Sequence, residues 1–466
     1  MRRANVVKLV VDKETHKRLR ELAIATAKCW NEVNWLRAQQ FKEGRRVDFA
    51  MTEKEVYEKY KQVLKVNAGQ VARKNAEAWR GFFSLVKEKK EGRLPRWLRP
   101  RPPGYWKGEG GKYRLTVLIR NDRYEVDEGR RVIYLKDFGL ALGFKGRLKW
   151  RGKQGRLEIT YDEARRSWYA FIPVEVENSA RAEGRLRASI DLGIVNLATV
   201  YVEDDTWYLF KGGGVLSQYE SYSKRIARAQ KVLARHGQRG SRRLRLLYDK
   251  RRRFLRHALN SMARRVMEVL RGKGVGEVVV GYPKEISRDH GNKLTVNFWN
   301  YSYVIRRLEE VGEELGIKVV KVSEANTSRT CSLCGEAHGG GRIRRGLFRC
   351  PRAGKVINAD LNAAINILHI PKSLGPRGWG QPLARDRGKG LKAQPAAYRW
   401  TSGAGWVLTA PASREVMKVR AVSREPVSRP KGTLTLQGGE EARLTARSRA
   451  KAAALHPTPK ADFSLY

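Results

Sequence analysis

The sequence predicts a mixed α+β, multidomain protein whose second half is an α/β core. Three patterns predict this. Residues 13–90 carry apolar positions at helical spacing, residues 113–177 break into short strand-like runs, and from about residue 187 apolar strands alternate with long helices. With 466 residues the chain is long enough for two or three domains and a sizeable core.

Residues 4–11 (ANVVKLVV) read as a strand, and Asp12 reads as the cap of the helix that follows. Leu19, Leu22, Ala25, Cys29, Val33 and Leu36 then recur three or four residues apart, so one apolar face runs to about residue 40 and Cys29 packs on it. Helical pattern continues from about 52 to 90. Residues 91–113 form a loop rich in Pro, Gly, Arg and aromatics. The runs YRLTVLI, RRVIYL, GRLKW, RLEITY and SWYAFIPVEV follow and read as a small β-barrel or wedge-like sheet. This assigns 1–12 and 91–180 to a β-barrel domain and 13–90 to a helical region inserted in it. The polar, small stretch ENSARAEGRLR marks a boundary. Beyond it come ASIDLGIVNLATVYV and WYLFKGG as strands, basic helices over 217–272, the buried strand VGEVVVGY, a helix at 297–315, the strand GIKVVKVSE, a Cys-rich loop and the helix NADLNAAINIL. That order is the order of an RNase H-type fold. Residues 371–466 show no lasting periodicity and are expected to be a disordered, low-complexity tail.

Charge narrows the function. Ninety-six Lys and Arg stand against 47 Asp and Glu, a formal net charge of +49 spread along the whole chain. So basic a protein repels itself unless a polyanion neutralises it, which points to an extended nucleic-acid track. The basic surface of a thermophile protein would bring Glu with its Lys, and acid is scarce here. No run of about 18 apolar residues offers a membrane span. The N-terminal text reaches charge too soon for a secretory signal. Four Cys, three of them clustered, suit a metal and the cytosol rather than a disulfide framework.

Two aspartates carry the chemistry. Asp191 ends an apolar strand just before Gly193, and Asp360 opens a helix. A two-metal nuclease needs carboxylates from separate elements to hold two Mg²⁺ about 4 Å apart. Taken alone, either aspartate is as well read as a turn residue or a helix cap. The stretches 189–199 (SIDLGIVNLAT), 326–335 (NTSRTCSLCG) and 356–368 (VINADLNAAINIL) together resemble the first RuvC motif, the zinc-finger motif and the third RuvC motif of TnpB proteins. The resemblance covers about residues 1–370 and is strong from 186 onward. It implies a RuvC-like nuclease core at 186–325 and 356–370, a zinc-finger insertion at 326–355 and a wedge-like first domain. It also implies two Mg²⁺, a guide RNA and cleavage of target DNA in a prokaryotic cytoplasm. The bulk of the basic helices would lie where a guide–target duplex runs, making Arg225, Arg228, Arg235, Arg242, Arg243, Arg251, Arg252 and Arg253 candidate phosphate contacts. Trp97, Tyr105 and Trp106, among arginines in the Pro-rich loop, are candidate base contacts, with local packing the plainer alternative.

The chain departs from the family pattern at two places. The second RuvC motif usually ends its strand with Glu, but here Gly281 holds that place. Glu324, at the end of a strand expected beside the first, is the preferred replacement. Glu285 is the second choice, and loss of catalysis is the third. The usual second CxxC is also incomplete, with Ala353 in the last position, and His338 fills the gap as a Cys331, Cys334, His338, Cys350 zinc site. Three function readings follow: an RNA-guided DNA endonuclease, an RNA-guided DNA binder without cleavage, and a transposase or its accessory protein. No His pair near a nucleophilic Tyr supports a tyrosine transposase. The tail is expected to be dispensable, so that removing 375–466 leaves cleavage intact.

Overall fold

The computed structural model describes residues 1–94, 97–107, 112–177, 184–282, 294, 298–324, 327–339, 341–344, 346–370 and 395–410. Glu285 and most of the expected tail lie outside the described residues.

The first half is a sheet with helices laid on it. Strand β1 (Arg2–Val10) is followed by helices α1 (Lys13–Lys42), α2 (Phe49–Leu64) and α3 (Asn67–Lys90). Asp12 caps α1 by accepting the Thr15 amide at 2.7 Å, and Asp48 caps α2 through the amides of Ala50 and Met51. Strands β2 (Thr116–Ile119), β3 (Tyr124–Asp127), β4 (Val132–Leu135), β5 (Leu140–Lys145), β6 (Lys153–Gln154), β7 (Leu157–Asp162) and β8 (Ser167–Glu175) follow. They form an eight-stranded antiparallel sheet with β1 in the order β2-β7-β8-β1-β5-β4-β3, and β6 pairs with β8. The outermost strands, β2 and β3, are joined by a turn closed by the Arg123 amide on the Arg120 carbonyl, so the two ends of the sheet come together as in a barrel. The apolar face of α1 meets the sheet: Leu19, Leu22, Cys29 and Val33 share one core with Val117, Ile133 and Ile159.

The second half is a mixed sheet. It contains β9 (Leu186–Asp191), β10 (Asn196–Val202), β11 (Trp207–Lys211), β12 (Val275–Tyr282) and β13 (Lys318–Ser323). Helices α4 (Gly213–Arg235) and α5 (Arg242–Gly272) precede β12, and α6 (Tyr301–Leu315) precedes β13. Strands β14 (Arg342–Arg344), β15 (Leu347–Arg349) and β16 (Val356–Asn358) make a small separate sheet, and α7 (Ala359–Leu368) continues directly from β16. The small sheet takes its third strand from 356–358, past the boundary that the sequence suggested at 355. β12 lies parallel to β9 and β13 parallel to β12, while β10 is antiparallel to β9. β13 is therefore one strand further from β9 than expected, with β12 between them.

Ion pairs tie the two halves together. Arg3 donates to the Glu310 carbonyl at 2.7 Å and to Glu313, Lys149 reaches Glu314, and Arg165 grips Asp249 on α5 at 2.8 Å. Among the described residues no helix is long and apolar enough to cross a membrane.

The expectation for the tail fails over 396–410. There β17 (Ala396–Thr401) and β18 (Gly405–Ala410) form a hairpin that extends the second sheet to the order β13-β12-β9-β10-β11-β17-β18. β17 pairs in parallel with β11, placing Tyr398 opposite Phe210 with their rings stacked at 4.6 Å. Trp406 is buried and its indole N–H donates to the Ala258 carbonyl of α5 at 3.0 Å. Removing residues from 375 onward therefore strips two strands and two buried aromatic side chains, Tyr398 and Trp406, from the core. Trp406→Ala should cost about 3–5 kcal/mol of stability. A chain ending at residue 374 should melt below the full chain in a thermal-shift measurement, and equal melting temperatures would show that the hairpin contributes nothing.

Candidate active site and metal centre

Asp191 is the last residue of β9, and its strand is fastened to the helix that carries Asp360. Ser189, two residues earlier on the same strand, donates its hydroxyl to the Ala364 carbonyl of α7 at 2.6 Å. Asn358 caps α7 by accepting the amides of Asp360 and Leu361 at 2.9 and 3.0 Å. The capping role falls to Asn358, which frees the Asp360 carboxylate for other partners. One of its oxygens accepts Asn196 Nδ2 at 2.8 Å, and the other lies 3.7 Å from the Arg342 guanidinium.

Glu324 joins the two aspartates. Burial, followed by the negative charges of Glu324 and Asp360, raises the Asp191 carboxyl well above the ordinary range, with Arg342 opposing the shift. Burial alone pushes Glu324 up to about 7. Its Oε2 is buried and has no hydrogen-bond partner. A buried carboxylate oxygen left without a donor is costly, and a cation is what such a group lacks. The donor set of three carboxyls from three elements fits a hard divalent ion.

Gly281 explains how Glu324 reaches this place from β13. A Cβ at position 281 would lie 2.7 Å from Ile367 Cδ1 and 3.0 Å from Glu324 Oε2. Both distances are tighter than packed side chains tolerate. β12 separates β13 from β9, and the missing side chain at Gly281 on β12 leaves room beside the Glu324 carboxylate. Glu285, the alternative acid, lies outside the described residues.

The second cluster is sulfur-rich. One ligand atom each from Cys331, Cys334, His338 and Cys350 lies within 4.8 Å of all the others. His338 Nε2 is 3.0 Å from Cys334 Sγ and 3.8 Å from Cys350 Sγ. The Ala353 amide donates to Cys350 Sγ at 3.2 Å, so the position that lacks a fourth cysteine still supports the third one with its backbone. Three thiols and an imidazole at this spacing are a donor set that suits a tetrahedral zinc ion. This cluster is latched to α7. Asn362 accepts the Ser332 amide at 2.8 Å and donates to the Thr330 carbonyl, and Asn366 donates to the carbonyls of Thr327 and Thr330. The last two of the three asparagines of NADLNAAIN thus hold the Cys331 loop, while the first caps the helix beside Asp360.

The basic side chains divide into groups. Arg252 and Arg253 share the Asp249 carboxylate, Arg251 lies over the Tyr219 and Tyr248 rings, Arg225 lies over Tyr222, and Arg242 donates to the Ala164 carbonyl. Arg228, Arg235 and Arg243 are exposed and have no protein partner among the described residues. In the Pro-rich loop Trp97 and Tyr105 are exposed, but Trp106 is not available for base contact. It is buried, stacked on Trp30 at 4.5 Å, and its backbone amide is held by Asn31. Its role is packing, because the stacking partner comes from the core helix α1. Sequence reasoning missed Arg342, and it missed Asn196 although that residue lies within the quoted first motif. It also missed Tyr301, whose hydroxyl is raised by burial and by the charges of Glu324 and Asp191.

Elemental analysis should find one zinc per chain, and Cys334→Ser should lose it and melt several degrees lower. A wild-type protein purified without zinc at an unchanged melting temperature would remove the metal from the finger.

Two family profiles match the chain: one described as "Probable transposase" over residues 171–287, and one described as "Cas12f1-like, TNB domain" over 301–367. The chain is 39% identical over 399 residues to the TnpB-like protein ORF457 of Acidianus two-tailed virus, covering 79% of this chain and 86% of that protein. It is 28% identical over 220 residues to the CRISPR-associated endodeoxyribonuclease Cas12f1 of Sulfoacidibacillus thermotolerans, covering 45% of this chain and 52% of that one. Among solved structures, a Cas12f1–sgRNA–target DNA complex matches the fold with a TM-score of 0.53 at 17% identity, over 77% of this chain and 83% of that chain.

Proposed function

We propose that this chain, which belongs to the TnpB-like family, is an RNA-guided DNA endonuclease whose RuvC-like core hydrolyses phosphodiesters with Asp191, Glu324 and Asp360. The single observation that carries the reading is the contact between Gly281 and Glu324. The glycine in the place of the usual acid leaves room beside Glu324, whose Oε2 is buried without a hydrogen-bond partner and whose charge acts on Asp191 together with that of Asp360. A nuclease that had lost its third acid would not need that gap. The parallel β12 and β13, with β10 antiparallel to β9, support an RNase H-type core.

Two Mg²⁺ ions, when bound, activate a water and stabilise the leaving oxygen. Asp191, Glu324 and Asp360 would hold them. Asn196 keeps Asp360 turned toward the centre by holding one of its oxygens. Ser189 and Asn358 fix the strand and the helix that bear the two aspartates. Specificity lies in base pairing between guide RNA and target, and the exposed arginines of α4 and α5 serve the duplex backbone. Trp97 and Tyr105 are left as candidate base contacts. Zinc has a structural role in the finger.

The test is Mg²⁺-dependent plasmid cleavage by protein co-purified with its guide RNA. Asp191→Ala, Glu324→Ala and Asp360→Ala should each reduce cleavage at least about 10³-fold, roughly 4 kcal/mol of barrier, while Glu285→Ala cuts like wild type. If Glu285→Ala is dead and Glu324→Ala active, the third acid is misassigned. Wild type that binds its target but never cuts would make the protein an RNA-guided binder.

Gly281→Ala should slow cleavage about 10- to 100-fold with target binding unchanged, because the new methyl displaces Glu324. Full activity in that variant would show that Glu324 does not depend on the gap.

A further inference from the structure

We propose that Lys211 and Arg399 form a cationic row that holds the phosphates next to the one being cut, so that the hairpin of β17 and β18 is part of the substrate site. This rests on the nuclease reading above. The register of the second sheet places the row. Asp191 on β9 pairs with Thr199 on β10, Thr199 with Leu209 on β11, and Leu209 with Ala397 on β17. Side chains paired in this way share one face of a sheet. It is the α7 face, because Trp207 and Leu209 of β11 share a core with Leu361 and Ala364 of α7. One step along the same face, beyond the end of β9, the next row reads Asn196, Lys211, Arg399 and Val407.

That row starts at the acidic centre, since Asn196 is the residue that donates to Asp360 at 2.8 Å. Neighbouring strands lie about 4.8 Å apart, which sets the backbone of Lys211 about 5 Å and that of Arg399 about 10 Å from Asn196. Lys211 is half-buried and Arg399 is exposed, and neither side chain has an ion-pair or hydrogen-bond partner among the described residues. Val407, at the end of the row, is exposed as well, so this part of the face lies open. The strand under Arg399 is fixed from its other face. Tyr398 stacks on Phe210, and Trp400 packs edge-on against His257 of α5 and against Trp406. A cation on a strand held this firmly loses little freedom when it meets a phosphate. Two unpaired cations in line with a group of carboxylates suit a nucleic-acid strand: the attacked phosphate lies at the carboxylates, and the phosphates beside it need positive charge. The strand that reaches such a centre is the one that it cuts.

The test uses the full chain with co-purified guide RNA and removes charge from either side of the contact. On the protein side, Lys211→Gln and Arg399→Gln are combined. On the DNA side, single phosphates beside the cut are replaced in turn by neutral methylphosphonates. The double variant should cut unmodified target about 10- to 100-fold more slowly, with guide RNA content, target binding and melting temperature unchanged. Arg399→Lys, which keeps the charge, should keep most of the rate. Neutral linkages at one or two places beside the cut should slow wild type and should not slow the double variant further, because the contact is already gone. Cleavage by the double variant at the wild-type rate overturns the proposal. So does slowing that adds in full to the effect of every neutral linkage, and so does a double variant that loses guide RNA or target binding, which would put the two cations on the guide. In these cases the nuclease reading stands, because wild type still cuts. Wild type that never cuts overturns the nuclease reading and this proposal with it.

Discussion

Gathering three carboxylates against one another is the constraint on which the second half of this chain is built. Asp191, Glu324 and Asp360 come from a strand end, the residue after another strand and the first turn of a helix, and each of the last two makes the charge on Asp191 harder to bear. Such a cluster opposes folding unless the scaffold around it is over-determined. The scaffold meets that need with short hydrogen bonds from residues that carry no charge. Ser189 fastens β9 to α7, Asn358 caps α7, and Asn196 holds one oxygen of Asp360. Among the described residues Arg342 lies 3.7 Å from Asp360, too far to neutralise the centre and near enough to temper it.

The finger belongs to the same construction. Asn362 and Asn366 lie one turn apart on α7, fully or nearly buried, and their amides satisfy the backbone of the loop that presents Cys331. Buried amides with all partners present specify one arrangement at high cost for any other. The sulfur cluster and the acidic centre are thus two faces of one helix. The stability of one bears on the geometry of the other.

Much of this was legible in the sequence because it rests on local signals. Helical spacing from Leu19 to Val33 gave the buried face of α1, and the cysteine spacing with His338 named all four cluster ligands. Mixed α+β architecture was legible for the same reason. What was hidden depends on strand order. Glu324 was named on the premise that its strand lies beside the first, but β12 intervenes. The residue that makes the distance passable is Gly281, which from the sequence looked only like a loss. The hairpin at 396–410 was hidden too, because AAYRWTSGAGWVLTA is short and sits in polar, Gly-rich surroundings. Its aromatic residues find partners in Phe210, Phe254, His257 and Ala258, far away in the chain. For Trp106 the plainer of the two readings, local packing, holds: the Pro-rich loop lays it on Trp30.

A net charge of +49 asks which arginines are structural and which are offered to a partner. Asp249 shows that the two roles are not exclusive. It is buried, it receives Arg165 through two nitrogens, and Arg252 and Arg253 lean on the same carboxylate. Three guanidiniums against one carboxylate leave a positive surplus, and the side chains of Arg252 and Arg253 remain more than half exposed. One acid buried among them therefore ties the first half of the chain to α5 and fixes two arginines in place without cancelling their charge. Side chains held this way lose little freedom when they meet a phosphate. The scarcity of acid in this chain then has a structural meaning. Among the described residues the two buried carboxylates, Asp249 and Glu277, both hold basic side chains in position.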